Sequence, residues 1–316
     1  MSRSAAGNTL AAALAVAISV VAAAPDDARA RAIAVWWGQR APHRVPADGA
    51  PGIRDARGHV VVPRAFRRIV AGSTVADRLL MELCENDRIV AMTAYGARHT
   101  RGGHQYAGKT LVAGLDDIEG LLALRPDLLL INNYGDPGRV ARMREAGIEV
   151  FDLGEMRGLS TLLSNIEQVG ALVGDPERAA AFSRSLRARL ERVAAPLTAT
   201  ARRRGLYVSV YGNRLFGGTA GTNFHDVLTY GGLTDIAASN GYRDWPAYSA
   251  EALLALDPAV ILTKPGMAER LCRFPGIERL QACGATGQIV EIESALLDDP
   301  GPAMLDAAEA VYEAVY

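Results

Sequence analysis

The stretch Glu119–Leu130, EGLLALRPDLLL, returns as Glu251–Leu262, EALLALDPAVIL. Each copy reads as a short helix opened by a glutamate, stopped ahead of a proline and followed at once by an apolar strand. A carboxylate in the first turn complements the helix dipole. Proline cannot continue a helix and biases the residue before it toward extended geometry, so Arg125 and Asp257 are expected to be extended at the switch from helix to strand. A helix, proline and strand in succession is a common local solution. Agreement over so many successive positions is not, and it predicts two similarly built halves.

Outward from the first copy, short apolar runs alternate with amphipathic segments: Ile69–Ala71, Val75–Cys84, Ile89–Met92, Ile118–Leu124, Leu128–Ile131, Val140–Ala146 and Glu149–Leu153. Three to five apolar residues between helical stretches indicate strands of a parallel sheet covered on both faces, an α/β layer architecture. Asp175-Pro176-Glu177 supplies an N-cap, a proline at the first helical position and an early acid. The helix it opens meets no breaker before Pro196 and carries an apolar stripe at Ala179, Phe182, Leu186, Leu190 and Val193. Beyond it, Gly205–Tyr211 starts a second half, and Pro302–Tyr316 reads as a final amphipathic helix. The expected fold is two similar α/β lobes with central, mostly parallel sheets, joined by a single long helix. The expected boundaries are residues 68–174 for the N-terminal lobe, 175–196 for the interlobe helix and 197–316 for the C-terminal lobe.

The 316 residues are nearly half hydrophobic and carry a net charge of only −1. A near-neutral total without a long basic block gives no support for nucleic-acid binding. Arg184–Arg204 is rich in arginine, but Leu186, Leu190 and Val193 interrupt it at helical spacing, as on a solvated helix face. Residues 1–30 have the plan of a cleavable secretion signal: Arg3, an apolar run Leu10–Ala24, and Ala28-Arg29-Ala30 as a small-x-small site. The competing reading is a membrane anchor, but a spanning helix needs about twenty apolar residues. No cysteine lies near that site, so a periplasmic protein without a lipid anchor is expected. Residues 31–67 read as an irregular leader with a short strand at His59–Val62. Of three cysteines, Cys84 falls on an apolar helix face as a buried thiol, while Cys272 and Cys283 are close enough in sequence to pair; spacing alone leaves that open.

The order of these features, from Ile53-Arg54-Asp55 and His59–Pro63 through Arg68-Ile69-Val70 to the duplicated helix, resembles the helical-backbone periplasmic binding proteins. That family serves ABC importers of iron-siderophores, haem and cobalamin. The resemblance runs from about Ile53 to the C-terminus. It implies a monomer with no catalytic residues and no cofactor of its own, capturing a ligand that contains iron or cobalt and passing it to the importer's transmembrane permease dimer. It also implies that Glu119 and Glu251 dock on the permease, one carboxylate reading each lobe.

The ligand cleft is expected between the lobes, at loops that follow strands. From the first lobe the candidates are Tyr95, His99, His104 and Tyr106 with Asn133 and Tyr134. From the second they are Arg214, Phe216, His225, Trp245 and Tyr248 with the loop Gly217–Thr222. Aromatic walls suit large flat ligands, and tyrosine phenolate or histidine can ligate ferric iron, which makes Tyr95, His99 and His104 possible metal ligands. Trp245-Pro246-Ala247-Tyr248-Ser249-Ala250-Glu251 and Phe216 are similar to segments of the cobalamin-binding members. Those members' first-lobe tryptophans have no counterpart near Val112 or Asn133, and their acidic and basic pair near the last strand is not matched in Ser294–Asp299. The glycine-rich loop lacks the lysine and spacing of a P-loop. The sequence holds no nucleophile elbow, no HExxH and no strong zinc-ligand pair. An exported α/β enzyme, or a periplasmic sensor using the same cleft, is the alternative.

Overall fold

The computed structural model describes residues 45–47, 50–99, 103–113, 117–132, 136–297 and 301–316. The expected signal, the first part of the leader, Asn133 and Tyr134 lie outside them. Among the described residues no helix is long and apolar enough to cross a membrane.

Strands β1 (Val45–Ala47), β2 (Ala50–Arg54) and β3 (Val60–Val61) form a small antiparallel sheet. Asp55, in the turn after β2, ties it to the first lobe. Its carboxylate accepts from the backbone of Arg57, His59 and Asp152 and from the Arg144 guanidinium at 3.2 Å.

The first lobe is a five-stranded parallel sheet built from β4 (Ile69–Ala71), β5 (Ile89–Thr93), β6 (Thr110–Val112), β7 (Leu128–Ile131) and β8 (Glu149–Asp152), in the order β6-β5-β4-β7-β8. The second contains β9 (Arg204–Tyr211), β10 (Arg214–Gly217), β11 (Thr234–Asp235), β12 (Ala247–Tyr248), β13 (Val260–Thr263) and β14 (Gln288–Glu291). Its order is β12-β10-β9-β13-β14, with β11 beside the start of β9. The β9, β11, β13 and β14 pairings are parallel, and the β10 pairings are antiparallel. The two repeated segments therefore sit in separate sheets: β7 follows the helix Ile118–Ala123, and β13 follows the helix Ala250–Leu256.

Arg125 and Asp257 are not extended, contrary to the expectation. Both are left-handed, with φ of 47° and 41°. Steric conflict with the following proline excludes the right-handed helical region, but a left-handed residue meets that condition while also turning the chain out of the helix, as at many helix C-termini.

Side chains alternate along each buried strand between two apolar layers. In the first lobe Ile69, Ala71, Leu128, Leu130 and Phe151 face one core, and Val70, Leu129, Ile131 and Val150 face another with Leu121, Val140 and Met143. In the second lobe Leu206, Val208, Val210 and Ile261 pack outward, whereas Tyr207, Val260 and Leu262 join the same core as Ile69 and Leu128. This shared core runs under the helices Leu159–Val173 and Pro176–Val193, which contribute Leu162, Ile166, Val169, Leu186 and Leu190. Moving the lobes apart would expose that continuous apolar layer, so the geometry favours small hinge motions. The last helix, Ala303–Val315, covers its end with Met304, Ala307, Ala308 and Val311. Cys84 is a buried free thiol whose pKa burial raises, and Cys272 is joined to Cys283 with their Cα atoms 5.7 Å apart.

Candidate functional site

The first-lobe strands end their C-terminal edges at a cleft of about 760 Å³ facing the second lobe. Such edges are the usual place for ligands in open α/β sheets. Its floor follows β4 at Gly72–Val75, its near wall follows β5 at Thr93–Tyr95 with Arg98, and Asn132 follows β7. Met156 and Glu155 close it toward the crossing segment. Asn223, Phe224, Trp245 and Leu297 form the wall of the opposite lobe. The volume is that of sites for small-molecule ligands and cofactors.

A buried acid fixes the near wall. Asp77, fully buried in the helix Thr74–Leu83, accepts the Thr93 N–H at 3.0 Å, the Thr93 hydroxyl and the Tyr106 hydroxyl at 3.3 Å. The Thr93 hydroxyl oxygen in turn accepts the Gly96 N–H at 3.0 Å. A side chain at position 96 would meet Asp77, Tyr106 and Thr93 inside contact distance, so only glycine lets the helix Ala94–His99 sit this close. That seating presents Tyr95, 57% exposed, to the cleft, with Arg98 one turn further along. Tyr106, expected in the cleft, is instead buried at 4% exposure as part of this support.

The far wall is held across the crossing segment. Arg157 bonds Glu155 at 2.9 Å and Asp244 of the second lobe at 2.5 Å, and its guanidinium lies 5.3 Å from the centre of the Trp245 ring. Gly158 offers no side chain to cap the helix Leu159–Val173; Asp226, from the second lobe, accepts the Leu159 N–H at 2.6 Å in its place. Burial raises the Asp226 pKa, against the lowering effects of that bond and of His225.

Of the expected site residues, the structure brings Tyr95 and Trp245 to this cleft from opposite lobes. His99 stacks on Tyr95 with ring centres 4.2 Å apart, its Nδ1 2.9 Å from the Tyr95 carbonyl, and His104 is exposed on the short turn Gly103–Tyr106. The remaining second-lobe candidates do not line it. Arg214 is exposed on β10 and Phe216 is half-buried two residues on. Tyr248 is buried against Gly217; its hydroxyl has no hydrogen-bond partner among the described residues, and burial pushes its pKa well up. His225 pairs with the buried Asp235 at 2.8 Å, which also accepts the Thr219 hydroxyl. Among the described residues no three His, Cys, Asp or Glu side chains cluster as a metal site. Glu119 and Glu251 are exposed in the first turns of the duplicated helices.

Sequence reading missed Arg98, Glu155, Arg157, Asp226 and Asp244. Arg98 had a usable signal, three residues after Tyr95 on one short helix. The others are joined by tertiary contacts that no local pattern announces.

A model of the periplasmic binding protein family matches residues 69–296. The chain belongs to that family. It is 26% identical over 254 residues to a cobalamin-binding protein of Halobacterium salinarum, an alignment spanning 76% of this chain and 66% of that one. A periplasmic haem-binding protein of Pseudomonas aeruginosa has the same fold, with a TM-score of 0.63 and 26% identity over 79% of this chain and 93% of that one. A possible iron-binding periplasmic solute-binding protein of Staphylococcus epidermidis superposes with a TM-score of 0.70 over 80% of this chain and all of its own, at 14% identity. The family assignment agrees with the duplicated architecture and with the cleft between the lobes.

Proposed function

We propose that this periplasmic binding protein captures a metal chelate outside the cytoplasm, haem, a ferric siderophore or a corrinoid, and delivers it to the permease of an ABC importer. The observation that carries the reading is a cleft of about 760 Å³ with Tyr95 on one wall and Trp245 on the other. Two exposed rings from opposite lobes suit a large, flat, partly apolar ligand. The cobalamin-binding and haem-binding relatives support that class. Delivery rests on Glu119 and Glu251: equivalent exposed carboxylates, one per lobe, suited to basic groups on a partner with two matching sites.

The test is a titration of ligand-free protein with haemin, a ferric siderophore and cyanocobalamin, followed by absorbance and tryptophan emission. Saturation at one ligand per chain, with the ligand recovered unchanged, supports capture. Chemical conversion of the ligand would instead favour an enzyme. If ferric iron is held by the Tyr95 phenolate, the charge-transfer band of the loaded protein disappears in Tyr95→Phe; an unchanged spectrum excludes Tyr95 as a ligand.

A further inference from the structure

A second cavity, of about 410 Å³, opens at the other end of the first-lobe sheet. Its lining comes from residues 63–67, which lead into β4, from Glu85 and Arg88 ahead of β5, and from residues 172–174 at the end of the helix Leu159–Val173. The interlobe cleft follows the opposite, C-terminal edges of the same strands, and the two cavities share no lining residue.

The guanidinium groups of Arg64, Arg67 and Arg88 meet here against the carboxylate of Glu85. Arg88 is fixed in place. Its Nε donates to the Phe66 carbonyl at 2.7 Å and its Nη1 to the Val173 carbonyl at 3.0 Å, with the largely exposed Glu85 carboxylate 3.3 Å from Nη1. Its Nη2 is buried and has no hydrogen-bond partner among the described residues. A buried donor on a charged group is costly to leave unpaired, so an oxyanion that reaches it gains a strong bond at little ordering cost. Arg64 and Arg67 are exposed, and neither side chain takes part in an ion pair or hydrogen bond with the described residues. The Arg64 guanidinium lies 4.9 Å from the centre of the Phe66 ring, which holds it beside the cavity. Asp127, the other acid nearby, is turned to the backbone N–H groups of Arg67 and Arg68. The rest of the lining is mostly apolar: Pro63, Ala65, Phe66, Leu172 and Val173.

From this arrangement we propose that the cavity is a second binding site, for a small organic phosphate. Three arginines against one glutamate leave a surplus of two positive charges. A phosphomonoester, with a charge of about −1.5 to −2 at neutral pH, neutralises that surplus; a carboxylate monoanion does not. Guanidinium groups suit its oxygens because each offers paired donors in one plane. The apolar lining receives the organic body, and the volume lies in the range of small-molecule sites rather than of an open basic surface. The inference stands independently of the capture reading, since it uses none of the cleft residues.

Phenyl phosphate and benzoate are the probes, titrated calorimetrically into the chelate-free full chain. Phenyl phosphate should bind at one per chain and at least about tenfold more tightly than benzoate, with an affinity that declines in added salt. It should also raise the melting temperature of the wild type. Arg64→Gln and Arg67→Gln should each weaken binding by about tenfold. Both side chains are exposed, so the melting temperature of the probe-free variants should match that of the wild type, which separates lost recognition from lost folding. Arg98→Gln, in the interlobe cleft, should bind phenyl phosphate as the wild type does. The assignment is overturned if phenyl phosphate shows no saturable binding, if benzoate binds equally well, or if binding survives the Arg64→Gln, Arg67→Gln double variant. Loss of binding in Arg98→Gln would place the probe in the cleft and overturn it too. Should phosphatidylglycerol vesicles sediment the wild type but not the double variant while phenyl phosphate fails to bind, the arginines form a membrane-facing patch and the small-molecule site is refuted.

Discussion

Arg68 and Arg204 hold the same place in the two lobes. Each stands at the start of a central strand and donates its guanidinium to the backbone that ends the duplicated helix. Arg68 Nη2 reaches the Leu124 carbonyl at 2.6 Å, and Arg204 Nη2 reaches the Asp257 carbonyl at 2.6 Å. The backbone repeats the pattern, with Asp127 N–H on the Arg68 carbonyl and Ala259 N–H on the Arg204 carbonyl, both at 3.0 Å. The last carbonyls of a helix lack intrahelical donors, and an arginine that supplies one also complements the negative end of the dipole.

Replacing either arginine by alanine should therefore destabilise the protein by about 1 kcal/mol, the usual net worth of a solvent-accessible hydrogen bond. The two effects should add in the double variant, since the sites lie in different lobes and share no partner. Urea denaturation curves check this. A midpoint unmoved by both substitutions would show that water serves these carbonyls equally well.

Charge reversal at the duplicated helices separates docking from capture. Glu119→Lys with Glu251→Lys should abolish ligand uptake in cells or vesicles carrying the cognate permease while leaving ligand affinity in solution within about twofold, because both side chains are exposed and neither lines the cleft. Each single reversal should produce an intermediate loss. Full uptake by the double variant would remove both glutamates from the docking surface.

How much the amino-acid sequence discloses on its own follows the range of the interactions involved. The repeat, the buried strands and the Pro176–Val193 helix are written in local periodicity and breakers, and all were legible. The left-handed turns at Arg125 and Asp257 were not, because excluding the right-handed helix before proline leaves more than one conformation and the tertiary fold selects among them. In the site, Tyr95 was legible because it follows the predicted strand Ile89–Met92, and Trp245 through the resemblance carried by Trp245–Glu251; the short helix that holds Tyr95 was not foreseen. Tyr248 and His225 looked equivalent in sequence, yet one packs against Gly217 and the other pairs with Asp235. In sequence Asp77 is indistinguishable from a surface acid of an amphipathic helix; only the fold sets Thr93 and Gly96 beside it.

Trp245 is expected to supply much of the binding energy. It is 44% exposed on the cleft wall, with the Arg157 guanidinium near its ring. Trp245→Ala should weaken binding of the preferred chelate by about 2 kcal/mol, roughly thirtyfold, as for aromatic anchors elsewhere, and Trp245→Phe should keep most of the affinity. Absorbance titration with haemin or cyanocobalamin gives the constants. A loss below about threefold in Trp245→Ala would mean that the ligand does not lean on this wall.

His225 predicts a dependence of stability on pH. Its hydrogen bond to Asp235 is the largest cause of a raised pKa; burial opposes it, and the charges of Asp235 and Asp226 add to it. The folded protein thus holds the imidazolium proton more tightly than the unfolded chain does. The resulting stabilisation is fully present below the unfolded pKa of about 6.5 and is lost as pH rises through the higher folded value. Asp226 has the same sign at lower pH: burial raises its pKa, so its contribution begins to fade above its ordinary carboxylate range. The melting temperature should accordingly fall as pH is raised from about 6.5 through the weakly alkaline range. In His225→Gln that part of the decline should vanish, while any decline at acidic pH due to Asp226 persists. A wild-type profile that is flat or rising over the neutral to alkaline window, or one that His225→Gln leaves unaltered, would show that the imidazolium pair with Asp235 does not set the response.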